Sequence, residues 1–164
     1  MDRTCKEEVV VSLIIPISVV RDFESRASID SVYRILADIP TSVRHFPKVE
    51  ELMELDTDRY RWRMEKMGSK NRFFQIQYQS VYRRNSEEKW VRWEPIGEGN
   101  ASFRGCWELQ ATDNGTRIHF ENEGHVELPF PRVTRRLLST FVERQFEQLL
   151  EEYIANLQRS FSNS

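Results

Sequence analysis

Three histidines, two cysteines and 26 acidic residues set the chemistry that this chain of 164 residues can attempt. His119 and His125 share a parity on one predicted strand, but six residues at ~3.3 Å each hold them roughly 20 Å apart. They cannot share one ion, and His45 lies elsewhere in the chain beside Phe46-Pro47. No metal site is therefore expected. The sequence contains no H-E-x-x-H, no G-x-S-x-G and no Gly-rich phosphate loop. Carboxylates doing acid–base work must converge in a dry cleft. Glu108, Glu121 and Glu123 instead fall on strand faces turned to water, and Arg117 beside them suits a cross-strand charge ladder. No catalytic residue and no cofactor are expected.

What remains is a set of rings predicted to face inward: Trp62, Phe74, Tyr78, Tyr82, Trp93, Phe103, Trp107 and Phe120, joined by Phe141 from a C-terminal helix. Pockets for apolar ligands are lined in this way, with a few polar groups to fix orientation. Any one ring is equally a piece of filled core. Taken together they imply a pocket, because the Tyr78 and Tyr82 hydroxyls need partners when buried. Ser80, Asn122 and Gln145 fall on faces that are otherwise apolar, and each must find a hydrogen bond to protein, water or ligand. A bulge in any strand would reverse these parities.

The elements that position these residues are legible from period and punctuation. Val9 to Val20 is apolar, preceded by Asp2, Lys6, Glu7 and Glu8, interrupted by Pro16 and followed by no small-residue cleavage site. That pattern predicts a first strand rather than a leader peptide, and it is shorter than the ~20 residues of a membrane span. Ser28 caps an amphipathic helix through Leu36 that Asp38 and Pro40 end, and a short turn follows from Thr41 to Phe46. Strands are then expected over 48–56, 59–67, 73–84, 89–96, 101–111 and 116–128, with 68–71 as a loop. Asp113-Asn114-Gly115 is the strongest hairpin signal. Beyond Pro129 and Pro131, Leu138, Phe141, Val142, Gln145, Leu149 and Tyr153 form the apolar stripe of a helix running to about Phe161. It would span on the order of 45 Å, and nothing else is long enough to cover the dry face of the sheet.

Composition bounds the rest. The net charge is −2 and 39% of residues are hydrophobic. The eleven basic residues between Arg59 and Arg104 alternate with aromatics and acids, so nucleic acid is not an expected partner. Cys5 and Cys106 form no C-x-x-C pair and suggest reduced thiols in a cytoplasmic protein. One α+β domain over 1–164 is expected, its core at about 19–160 and residues 1–8 flexible.

Three stretches carry a resemblance. Ala27-Ser28-Ile29-Asp30-Ser31-Val32-Tyr33 through Ala37-Asp38, then His45-Phe46-Pro47, is one; Gly105-Cys106-Trp107-Glu108-Leu109 followed by Asn114-Gly115-Thr116-Arg117-Ile118 is the second; the long C-terminal helix is the third. Together they resemble the START-like (SRPBCC) superfamily, in particular its polyketide cyclase/dehydrase and Coq10-like branches. The resemblance implies a helix-grip fold: a curved antiparallel sheet of six to seven strands wrapped around the last helix, with two short helices after the first strand. It also implies an entrance near Pro47, Gly68 to Asn71 and Gly97 to Asn100.

On that basis the expected function is binding or transport of a hydrophobic small molecule, such as a lipid, isoprenoid quinone or polyketide-like aromatic. The cavity residues would be Trp62, Phe74, Tyr78, Ser80, Tyr82, Trp93, Phe103, Trp107, Phe120, Asn122, Phe141 and Gln145. An enzyme of the cyclase or aromatase type is the alternative, working by holding a poly-β-keto chain folded. An interaction module with a filled core is the second alternative. The expected protein is a monomer or homodimer, without a transmembrane segment and in transient contact with membranes.

Overall fold

The computed structural model describes residues 12–69 and 71–164. Strand β1 (Leu13–Ser25) is followed by helices α1 (Ile29–Ala37) and α2 (Ile39–Val43). Strands β2 (Val49–Asp56), β3 (Arg59–Met64), β4 (Met67–Ser69), β5 (Arg72–Phe74), β6 (Gln77–Asn85), β7 (Trp90–Ile96), β8 (Ala101–Thr112) and β9 (Gly115–Leu128) come next. A 3₁₀ turn at Arg132–Thr134 leads into α3 (Arg135–Ser162). Seven strands form one antiparallel sheet in the order β1-β9-β8-β7-β6-β3-β2, while β4 and β5 make a separate small hairpin. This is the helix-grip arrangement the resemblance implied. The expected flexibility of residues 1–8, Cys5 and the start of the apolar run at Val9 lie outside the described residues.

Alternation does most of the building. Along β1, Leu13, Ile15, Ile17 and Val19 are buried while Ile14, Pro16, Ser18 and Val20 are exposed, the period-2 pattern of a sheet with one dry face. Tyr60, Trp62 and Met64 of β3 are buried in the same way, and Arg63 on the other face pairs with Glu50 at 3.1 Å and Glu51 at 3.2 Å on β2. The two short helices share one residue. Asp38 ends α1 and caps α2 by accepting from the Thr41 amide at 3.2 Å, and Pro40 sits in the first turn of α2, where its missing N–H costs nothing.

Two expectations need correction. Residues 73–84 are not one strand, and 68–71 is not a simple loop. The chain breaks at Gln75-Ile76, so Phe74 belongs to the small β4–β5 hairpin rather than to the main sheet. Asn100 holds this break from the loop before β8. Its side chain accepts from the Gln77 amide at 2.8 Å and donates to the Gln75 carbonyl at 2.7 Å. Those backbone groups would otherwise lack ladder partners.

Gly105 answers a close approach. A Cβ there would lie 2.5 Å from Trp93 Cζ2 and 2.1 Å from the Glu121 carbonyl. Only a residue without a side chain lets the Trp93 indole lie against β8, and this indole is part of the site described next.

Candidate functional site

Between α3 and the sheet lies a cavity in which the centre of a water molecule has about 70 Å³ to move. At roughly 10–15 Å³ per water by that measure, it has room for a handful of waters and no more. Its wall is mostly rings, and they form a closed circuit. Trp62 meets Phe46 edge-on at 5.7 Å, Phe46 meets Tyr153 at 4.9 Å, and Tyr153 meets Trp107 at 6.0 Å. Trp107 meets Phe120 at 4.5 Å, Phe120 meets Trp93 at 5.9 Å, and Trp93 meets Tyr82 at 6.0 Å. The Trp62 indole N–H donates to the Tyr82 hydroxyl at 3.2 Å and shuts the circuit. Ring pairs at these separations each contribute about 0.5–1.5 kcal/mol beyond burial. Tyr78 stacks on Trp62 at 5.6 Å and leads through Phe103 to Phe146 on α3.

The cavity carries few polar groups, and most are paired to protein. Trp93 donates to Asn122 Oδ1 at 2.9 Å, and Ser42 on α2 shares a 2.6 Å hydrogen bond with the Tyr153 hydroxyl of α3. The Tyr78 hydroxyl and the Asn122 side-chain N–H groups make no hydrogen bond among the described residues, so both are free to bond a guest. Desolvation raises the phenols. Tyr153 is pushed up to about 12, with the Ser42 bond pulling the other way. Burial lifts Tyr78 and Tyr82 well above the ordinary phenol value. All three are neutral near pH 7 and act there as hydrogen-bonding groups. No carboxylate, imidazole, amine, guanidinium or thiol is among the described residues lining the cavity.

Eight of the twelve residues expected in the cavity line it: Trp62, Tyr78, Tyr82, Trp93, Phe103, Trp107, Phe120 and Asn122. Four do not. Phe74 is taken out of the sheet by the break at Gln75-Ile76 and packs on Phe130 at 6.2 Å. Ser80 is fully buried, flanked along β6 by Tyr78 and Tyr82 and paired across to Tyr60, and its hydroxyl has no partner among the described residues. Phe141 is 46% exposed and Gln145 is half-buried off the cavity. Val142, Leu149 and Tyr153 of the expected α3 stripe are buried, while Phe146 and Leu150, rather than Phe141 and Gln145, join Tyr153 at the cavity.

The residues the sequence reading missed are mainly Ser42, Val43 and Phe46 from α2 and its end, and Phe146 and Leu150 from α3. A five-residue helix gives too short a period to show its inner face. Its position is fixed by tertiary bonds such as Asn156 to the His45 carbonyl at 2.9 Å. Of the segments expected to frame an entrance, none of the described residues lines the cavity, although Phe46 beside Pro47 does.

The model of the polyketide cyclase/dehydrase and lipid transport family matches residues 16–161. The chain belongs to that family. Among curated proteins none matches the sequence, and the solved structures that resemble it share the fold at low identity. The Zhui aromatase/cyclase from Streptomyces superposes with a TM-score of 0.65 at 13% identity, covering 90% of this chain and 94% of that one. A START superfamily protein from Mycobacterium smegmatis gives 0.64 at 14%, covering 89% and 97%. A protein from Thermus thermophilus gives 0.63 at 17%, covering 90% and 97%. This family member thus has the START-like helix-grip fold.

The raised phenols set a sign for pH. A tyrosine whose folded pKa lies above its unfolded value near ~10 stabilises the fold fully below that pH. The contribution is lost as pH rises towards the folded value, because the unfolded chain ionises first. Stability should therefore decline from about pH 10 towards 12. Absorbance at the phenolate band should show Tyr60, Tyr78, Tyr82 and Tyr153 titrating later in native than in denatured protein. Native and denatured titrations that coincide would contradict the burial described.

Proposed function

We propose that this family member binds a hydrophobic, ring-containing or chain-like small molecule inside the aromatic circuit and carries it. The single observation behind this reading is the wall itself: a closed run of rings, few polar groups and, among the described residues, no carboxylate, imidazole or amine in contact with the cavity. Such a wall holds a guest by burial and stacking and supplies nothing to move a proton at pH 7. The Tyr78 hydroxyl would orient one oxygen of the guest. The family's description names both cyclases and lipid transport. A cyclase that only holds a polyketide folded is the alternative, favoured by the Tyr78 ring stacked on Trp62, a flat platform that carries a hydroxyl.

A cavity this small must widen to admit a lipid or polycyclic ligand, and α3 is built unevenly in a way that allows it. From Leu149 onward the helix buries Leu149, Leu150, Tyr153, Ile154, Leu157 and Phe161, whereas before it only Val142 is fully buried. Thr134 at its start offers no side-chain cap. The first half is held by few buried contacts and is the part that moves at least cost. Val133 of the preceding 3₁₀ turn and Leu137 on the first turn of α3 are 90% and 81% exposed, next to the exposed Arg132, Arg135 and Arg136. That combination fits transient contact with an anionic membrane surface.

Two measurements test this reading. Cis-parinaric acid and a naphthoquinone should quench the protein's tryptophan fluorescence saturably, since three of the four tryptophans line the cavity. Val19 of β1 also lines the cavity, and Val19→Phe, which fills it at a cost of about 1–3 kcal/mol, should weaken both at least tenfold while unfolding stays cooperative. Unchanged affinity would place the ligand elsewhere. In flotation assays, vesicles rich in phosphatidylserine should retain the protein at low salt, and Leu137→Glu should abolish retention. Equal retention of the variant would remove the membrane contact from the reading.

A further inference from the structure

The outer face of the same sheet holds a second constellation, back to back with the cavity wall. Cys106 on β8 pairs in register with Glu121 on β9, and His119 stands two residues before Glu121 on the same face. Asp22 on β1 pairs in register with His119 from the other side. The Cys106 Sγ, a His119 ring nitrogen and a Glu121 carboxylate oxygen all lie within 4.8 Å of one another. Their inward neighbours Trp107 and Phe120 line the cavity, so the two sites are separated by the thickness of the sheet.

The imidazole is already set for ligation. Asp22 Oδ1 lies 2.8 Å from His119 Nδ1. A carboxylate only accepts, so in the neutral ring Nδ1 carries the proton and Nε2 keeps its lone pair. Nε2 stands 3.8 Å from Glu121 Oε2. Tetrahedral zinc, with bonds of about 2.0–2.2 Å to nitrogen and oxygen and about 2.3 Å to sulfur, requires neighbouring donor atoms roughly 3.3–3.7 Å apart. The donors are thus within about 1 Å of a coordination sphere without any backbone change. Two adjacent strands of a continuous sheet, β8 and β9, hold them, and Asp22 stands on the next strand, β1. A carboxylate behind a histidine ligand fixes its tautomer and strengthens it as a donor, as such outer partners do at zinc sites.

We propose that Cys106, His119 and Glu121 form a binding site for a divalent metal ion of zinc type, with Asp22 orienting His119 from behind. The mixed sulfur, nitrogen and oxygen set suits zinc over magnesium or calcium, which take oxygen alone. The fourth position is open to water or to Glu108, which pairs across to His119 and now reaches Arg92 at 3.2 Å. Binding displaces the Cys106 thiol proton to solvent, leaving a thiolate on the ion. The local field favours a cation. The carboxylates of Glu108, on the same outer face of β8 as Cys106, and of Asp22, against His119, add negative charge around the site.

Sequence reasoning missed this site because it weighed histidines only against one another. The signal was His119-x-Glu121 with a cysteine at the matching position of the preceding strand of the same hairpin.

Cobalt(II) chloride tests the proposal on untagged full-length Cys5→Ser protein, in which Cys106 is the one remaining thiol. One equivalent should bind with a thiolate-to-cobalt charge-transfer band, displaced by zinc chloride. Cys106→Ser should remove the band, His119→Ala should raise Kd at least tenfold, and Asp22→Asn should raise it about 10–100-fold. The same zinc equivalent should protect Cys106 from a thiol reagent in the parent protein, a readout that needs no further variant. Cobalt binding without the band, equal affinity in the Cys106 and His119 variants, or an unprotected thiol would each overturn the site.

Discussion

One helix cannot cover a seven-stranded sheet, and the rest of this structure follows from that mismatch. Six inter-strand spacings of about 4.8 Å make the sheet roughly 29 Å wide, against about 10–12 Å for a helix with its side chains. The sheet curls towards α3, and the gaps on either side are taken by the largest side chains available. Ring against ring leaves unfilled corners where Leu or Val would interdigitate. The cavity is what remains, and α1 and α2 line it through Leu36, Val43, the following Phe46 and the bond between Ser42 and Tyr153.

The same constraint divides the labour within α3. Its C-terminal half anchors the fold through Leu157 and Phe161, both almost fully buried. Its N-terminal half reaches the cavity through Phe146 and faces water with most of the rest. The carrier role proposed above would need a part that stays and a part that yields, and one continuous helix contains both an anchored and a sparsely packed half.

Much of this was legible in the sequence where a period ran long enough. Strand parity placed Trp62, Tyr78, Trp93, Trp107 and Phe120 on the inner face because each lies in a regular ladder with several neighbours in step. Parity failed at Phe74 because Asn100, distant in sequence, holds a break that local pattern does not announce. On α3 the cavity face departs from the expected stripe at Phe141 and Gln145, because Phe141 and Phe146 are equally apolar. Which of them turns inward depends on packing against Phe103 rather than on periodicity. Ser42 and Phe46 were beyond reach, since a helix of five residues takes its orientation from tertiary bonds alone.

The central claim is that the aromatic circuit encloses a guest the protein carries. Native mass spectrometry of the protein purified from its own host, without added ligand, tests it most directly. The account predicts a bound mass that extracts into organic solvent and disappears when Val19 is replaced by Phe. A protein found empty in repeated preparations, whose intrinsic fluorescence also ignores apolar ligands, would contradict it.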